Sequence, residues 1–315
     1  IEEGMGKKWK FLSIIFCGAG ILGLLAIFQA NQLTAVLRTV ILEPAGLDEG
    51  DKTRWIIGIT MMVLVAIVIL GGIKRIAAVA SKMVPFMVGL YFVTVVIIVF
   101  KYIGDVPDML LKIVTDAFTG EAMAGGAVGA VIIVGARRAA FSNEAGIGTA
   151  PMVHGASKNN EPIREGLIAM LGPFIDTVVV CTLTALVIML TGVWESTEKD
   201  GVRLTLAAFD MALPFYGRYL LMIAVLIFAL STMFTYSYYG HKCFGYLFGA
   251  KRADYYNYFY LITIVAGAVA SLDVVISLVD GMYAIMAVPT MISTFYLAPK
   301  VRVAMKDYFQ RMKSA

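Results

Sequence analysis

The sequence predicts an all-α integral membrane protein, and three observations carry that prediction. Of its 315 residues, 60% are hydrophobic and only 15% are charged, whereas soluble domains run near about a quarter charged. The apolar residues gather into eight stretches, each close to the ~20 residues that a helix needs to cross a hydrocarbon core. The charges fall mostly between those stretches, with bases and acids unevenly divided between the two sides.

The first stretch, 11–39, follows Trp9 and carries FQANQ, which places Gln29, Asn31 and Gln32 toward one end. The second, 55–73, opens at Trp55, and the third, 84–102, is apolar almost throughout. Before the fourth, 122–140, comes PDMLLKIVTDAFTGE. Here Asp108, Lys112, Thr115, Asp116 and Thr119 form one polar stripe at helical spacing, so the segment reads as a surface helix or as half of a broken transmembrane helix. The fifth, 166–192, holds Asp176 near its middle with Pro173 one turn before it. A second, weaker stripe starts at Gly201, ahead of the sixth stretch, 218–239. YYNYFY opens the seventh, 255–270, and the eighth, 274–298, leads into a basic tail. Trp9, Trp55, Trp194 and YYNYFY are interfacial anchors in this reading.

Charge sets the expected topology. Alternating across the membrane, one face collects Lys7, Lys8, Lys10, Lys74, Arg75, Arg137, Arg138, Lys251, Arg252 and the tail from Lys300 to Lys313. The other face is acid-rich, with Asp48-Glu49 and the run 195–200. The positive-inside rule makes the first face cytoplasmic, together with both ends of the chain. The C-terminal basic run reads as a topology signal that touches anionic lipid, with no nucleic-acid site implied. The chain opens on Ile1-Glu2-Glu3 and reads as a processed or partial chain. Its 3 cysteines and 2 histidines show neither a disulfide framework nor metal-ligand spacing. No nucleotide-binding glycine loop and no HExxH stands in the sequence, so neither a cofactor nor an enzyme is expected.

Polar groups at bilayer depth are functional candidates by default. Asp176 reads either as an ion or proton site or as a structural carboxylate beside the proline. Ser231 and Thr232, with Thr235 and Tyr236 a turn later, supply hydroxyl oxygens of the kind a hard cation prefers, or else bond back to their own helix. Gln29 and Gln32 share a helix face and could reach a ligand, or could simply hold two helices together. Gly125, Gly126 and Gly129 permit either close packing or an unwound mid-membrane segment of the kind that holds substrate in inverted-repeat transporters.

The segment RRAAFSNEAGIGTAPMVHGAS resembles the signature of the alanine or glycine:cation symporter family, the sodium–alanine symporters. The likeness runs in order through EEGMGKKW, QANQL, EGLIAMLGPFIDTVVVCTLTALVIMLTG, FALSTMFTYSYYG and LVDGMYAIMAVPTMISTFYLAPKV. It implies a leucine-transporter-like inverted-repeat fold and sodium-coupled symport of a small neutral amino acid, alanine or glycine, across the cell membrane. The chain then divides into 1–106, the last three helices of the first repeat, 107–299, the second five-helix repeat with a discontinuous first helix, and 300–315, a cytoplasmic tail. The family's N-terminal helices would be absent. Carried over, Gln29 would line the substrate pocket and Gly125, Gly126 and Gly129 would unwind. Ser231 and Thr232 would complete a Na⁺ site, Thr232 and Tyr236 would face the substrate, and Asp176 stays open between an ion role and a structural one. The SNEAGIG segment is expected at the cytoplasmic boundary, beside Arg137 and Arg138, capped at Ser142 or Asn143. Proton coupling, another substrate, a channel and a membrane enzyme are the competing classes.

Overall fold

A computed structural model of the chain describes residues 1–117, 127–196 and 201–314, and among them every regular element is a helix. Apart from the single-turn helices Glu2–Met5, Lys7–Trp9, Val193–Ser196 and Ala250–Arg252, these are in chain order α1 (Lys10–Gly23), α2 (Ile27–Leu37), α3 (Asp51–Ile69), α4 (Gly72–Lys101), α5 (Val106–Ala117), α6 (Ala127–Asn143) and α7 (Ala150–His154). There follow α8 (Pro162–Pro173), α9 (Thr182–Leu190), α10 (Gly201–Ala212), α11 (Gly217–Phe248), α12 (Tyr255–Val269) and α13 (Leu272–Ser314). Two wider, π-type segments extend helices: Arg38–Leu42 continues α2, and Phe174–Cys181 joins α8 to α9. The second begins straight after Pro173, whose missing N–H and ring forbid the normal i→i−4 pattern.

Six helical segments among the described residues are long and apolar enough to cross a membrane: Lys7–Leu42, Asp51–Ile69, Gly72–Lys101, Pro162–Leu190, Gly217–Phe248 and Leu272–Ser314. Of the other two expected spans, 122–140 falls partly on residues outside those described. The span at 255–270 forms α12, whose 15 residues cover only roughly 22 Å at 1.5 Å per residue. Its two ends nevertheless meet different groups: Asp254 before it pairs with His241 at 3.1 Å, and Ala270 after it accepts the Asn31 amide at 2.7 Å.

Side chains on the outside of these helices are large and apolar, among them Phe86, Phe92, Phe100, Phe174 and Phe295. In water such a surface would aggregate; against lipid it is the expected exterior. Packing inside the bundle therefore depends on close fit and on satisfied polar groups. Helix α11 is central and touches α1, α2, α3, α4, α10 and α12. One core joins α1, α2, α3, α11, α12 and α13; a second, smaller one joins α4, α9 and α10 to the far end of α2. Two buried tyrosines tie the first core together through backbone carbonyls: Tyr260 donates to Met233 O at 2.6 Å and Tyr256 to Ile21 O at 3.1 Å. At Gly267, α12 approaches α2 so closely that a Cβ would stand 2.6 Å from Ile27 Cα. Only glycine fits there.

Ion pairs tie neighbouring segments to one another: Arg38 with Asp48, Lys112 with Glu195 and Arg218 with Asp210, and His241 with Asp254, His154 with Glu165 and Arg311 with Glu161.

Candidate functional site

Two interruptions of helix meet in the middle of the bundle. The expected single helix at 11–39 is broken: α1 ends at Gly23, α2 starts at Ile27, and Leu24, Leu25 and Ala26 between them are buried. The second interruption lies between α6 and α7. Glu144 takes a left-handed φ of 55° that a residue with a Cβ rarely adopts, and Gly148 follows at 102°. The Asn143 side chain stabilises this turn by accepting the Ala145 N–H at 2.8 Å. Phe28, at the start of α2, and Phe141, in the last turn of α6, bring the two breaks together with ring centres 4.8 Å apart.

The second break corrects the sequence reading. SNEAGIG was expected at a membrane boundary. Instead Glu144 receives the Tyr236 hydroxyl at 2.5 Å, Tyr236 meets the Tyr283 hydroxyl at 2.8 Å, and Thr290 donates to Ile147 O at 2.9 Å. Tyr236, Tyr283 and Thr290 all stand well inside long apolar helices, so the turn lies at depth. Arg138 is likewise drawn in, pairing with Asp280 of α13 and lying over the Phe141 ring. The bookkeeping failed here because a half-exposed base paired with a distant acid looks, in sequence, like an interfacial one. Nor do Ser142 and Asn143 begin a helix: both end α6, and Thr149 precedes α7.

The predicted residues separate by environment. Gln29 is buried, and its Oε1 has no hydrogen-bond partner. Its neighbours realise the structural alternative instead. Asn31 Nδ2 donates to Gly267 O at 3.3 Å and Ala270 O at 2.7 Å, and Gln32 Oε1 accepts the Val202 N–H at 3.1 Å. Ser231 is buried and donates to Phe228 O in its own helix at 2.9 Å, which leaves its oxygen lone pairs available. Thr232 is half-buried on the same turn. Tyr236 is buried within the Glu144–Tyr283 network. Asp176 sits in the π-type segment and accepts the Ser142 hydroxyl at 2.5 Å, while Asn143 donates to Thr177 at 2.7 Å; together they hold the SNEAG turn against α8 and α9. Gly125 and Gly126 lie outside the described residues, and Gly129 lies within α6.

Glu144 and Tyr283 are the members that sequence reasoning missed. A cavity of about 560 Å³ leads to this turn from the end of the bundle that carries Lys242, and Phe16, Gly148, Met152 and Thr290 are in its wall. A smaller cavity of about 280 Å³ opens at the opposite end of α2, walled by Asn31 and Gln32. Such an arrangement binds and passes solutes: it has helix breaks, an unpartnered amide and hydroxyl oxygens, with approaches from two ends.

A multi-pass helical membrane protein with polar groups gathered at two mid-bundle breaks is built as a transporter rather than as an enzyme. The comparisons give the family. The family model for the sodium:alanine symporter family matches residues 1–315, and the chain belongs to that family. It is 35% identical over 300 residues to the sodium/alanine symporter AgcS of Methanococcus maripaludis, covering 94% of this chain and 64% of that protein. It is 35% identical to an uncharacterized transporter of Haemophilus influenzae (99% of this chain, 68% of the relative). With the probable sodium/glutamine symporter GlnT of Bacillus subtilis it shares 31% identity (100% and 64%). The chain thus spans about two thirds of the length of these relatives.

Proposed function

We propose that the protein carrying this chain is a sodium-coupled symporter of a small neutral amino acid, alanine or glycine, working by alternating access in the cell membrane. The observation that carries this reading is the family match along the whole chain, joined to the unpartnered Gln29 Oε1 beside the two breaks. A buried acceptor without a donor costs about 1–3 kcal/mol, and a bound ammonium group would remove that cost. The breaks present backbone groups to substrate and ion, as in transporters built from discontinuous helices. Ser231 and Thr232 complete the Na⁺ site, and Tyr236 closes the pocket against larger side chains. Gly125 and Gly126 keep their proposed role in unwinding the approach to α6; Gly129 stands inside that helix and does not share it. Asp176 positions the SNEAG turn through Ser142.

The architecture proposed is the leucine-transporter-like inverted repeat with eight transmembrane helices in this chain, α12 and the α6–α7 pair included. Residues 1–106 supply the last three helices of repeat one, 107–299 supply repeat two, and 300–315 are the tail. Both chain ends are cytoplasmic. The larger cavity then opens inward, which corresponds to the inward-facing half of the cycle. Binding energy of Na⁺ and amino acid biases the rocking of one bundle against the other.

A proton-coupled mechanism on the same fold is the competing reading, favoured by the position of the Glu144 carboxyl at the second break, where it accepts the Tyr236 hydroxyl. Uptake of labelled alanine into proteoliposomes separates the two. An inward Na⁺ gradient stimulates uptake, and Thr232→Ala shifts the Na⁺ dependence to higher concentration. Uptake that follows a pH gradient and ignores Na⁺ overturns the sodium reading.

A further inference from the structure

The 280 Å³ cavity at the end of α2 is lined by Asn31, Gln32, Arg38, Arg54, Arg203 and Ser271, and no carboxylate is among its wall residues within the described part of the chain. Three guanidinium groups around so small a space need compensation. Arg38 has it: Asp48 accepts two hydrogen bonds from Nε at 3.1 Å and one from Nη2 at 2.6 Å, and both side chains are largely covered. Arg54 is only loosely held, 3.6 Å from an exposed Asp51. Arg203 makes no ion pair or hydrogen bond among the described residues and is exposed at the rim. The amides are committed to the scaffold, so they shape the cavity rather than serve a ligand: Asn31 and Gln32 bind α12 and the start of α10. What remains available is guanidinium charge, from Arg203 and Arg54, together with the Ser271 hydroxyl. Arg203 also borders a second cavity that holds Glu43 and Asp210, with Asp210 paired to Arg218. Guanidinium groups converging in a concave pocket with no carboxylate among its described wall residues recognise a small planar or monatomic anion.

From this cavity to the central site is one helical turn. Gln32 in its wall and the unpartnered Gln29 stand three residues apart on α2, roughly 4.5 Å along the axis. We infer that the arginine-lined cavity is an entry site for a single small anionic group, either the carboxylate of the arriving amino acid or an inorganic monovalent anion. In the first case the charge draws the substrate's carboxylate to the mouth of the path, before its ammonium end meets Gln29. In the second, the anion screens Arg203 and Arg54 and sets the geometry of that mouth. The inference rests on the symport reading for its biological role, but occupancy of the cavity can be measured without transport.

The test therefore has two readouts in the full-length protein. Occupancy is read from the rate at which a membrane-impermeant thiol reagent labels Ser271→Cys. Alanine, acetate or chloride slows labelling with Arg203 present, and the protection is lost when Arg203→Gln is added and returns with Arg203→Lys. Transport is read from alanine uptake. Removing one solvent-accessible charge partner raises the apparent KM by roughly two- to fivefold with little change in maximal rate. Protection by alanine and acetate together with the KM change identifies the carboxylate. Protection by chloride alone, with uptake that falls when a bulky aryl sulfonate replaces external chloride, identifies the inorganic anion. Unprotected labelling, with uptake indifferent to Arg203→Gln and to Arg54→Gln, overturns the inference. Protection in a protein that shows no Na⁺-driven uptake keeps the anion site and removes the symport reading.

Discussion

Replacing Gln29 by methionine separates stability from function in opposite directions. The Gln29 side chain is 6% exposed and its Oε1 has no partner, so the ligand-free protein bears the cost of a buried, unsatisfied acceptor, about 1–3 kcal/mol. Methionine is close in volume and has no such acceptor. Gln29→Met removes that penalty without opening a cavity, and volume-conserving swaps themselves cost under about 1.5 kcal/mol. The net expectation is a gain of about 1 kcal/mol, or a rise of roughly 2–4 °C in thermal midpoint for a protein of a few hundred residues. The assay is thermal unfolding in detergent with and without alanine and Na⁺. Wild-type protein has the lower ligand-free midpoint and a clear upward shift with ligand. The variant has the higher ligand-free midpoint and loses the shift, because the group that ligand would satisfy is gone. A variant that is less stable without ligand and keeps the full ligand shift refutes the reasoning.

Gly267→Val forces a side chain against the Ile27 backbone, 2.6 Å away at its Cβ alone; the expected cost is about 1–3 kcal/mol, read as a lower thermal midpoint, with Gly267→Ala affected less. Asp48 is held below the usual carboxylate range, chiefly by its hydrogen bonds from Arg38. Its contribution is therefore present above the unfolded value of about 3.9 and is lost as pH falls through the lowered folded one. Asp48→Asn flattens the acid limb of a midpoint-against-pH curve in that window. Glu144 accepts the Tyr236 hydroxyl at 2.5 Å; Glu144→Ala leaves that buried hydroxyl without this acceptor, and the expected cost of about 1–3 kcal/mol is read as a lower thermal midpoint, with Glu144→Gln affected less.

Most of the helices were legible because crossing a membrane demands long apolar runs, and α3, α4 and α11 fall where those runs do. The breaks were less legible. Residues 24–26 are as apolar as the helices on either side, and hydrophobic pattern carries no mark of a missing hydrogen bond there. The glycines of GAGILG, at 18, 20 and 23, were the available signal. In the SNEAG segment the composition announced a break, but two adjacent arginines pulled it toward the surface, and only Asp280, some 140 residues away, explains why Arg138 lies deeper. The same long-range pairing hid the role of Asp176, whose partner Ser142 belongs to another helix. The amides of FQANQ could be narrowed to packing or binding from sequence; contacts with Val202 and Ala270 assign Asn31 and Gln32 to packing and leave Gln29 without a donor. The arginine cavity assembles from α2, α3 and α10, and no local motif carries it.

The central claim is that a sodium gradient drives amino-acid accumulation through this fold. Its most direct test is the steady-state alanine concentration inside proteoliposomes of the protein carrying this chain, with equal pH on both sides and Na⁺ higher outside. Coupled symport predicts alanine concentrated inside above its external level, and collapse to equality when a Na⁺ ionophore dissipates the gradient. Alanine that never exceeds its external level, or accumulation that survives the ionophore, contradicts it.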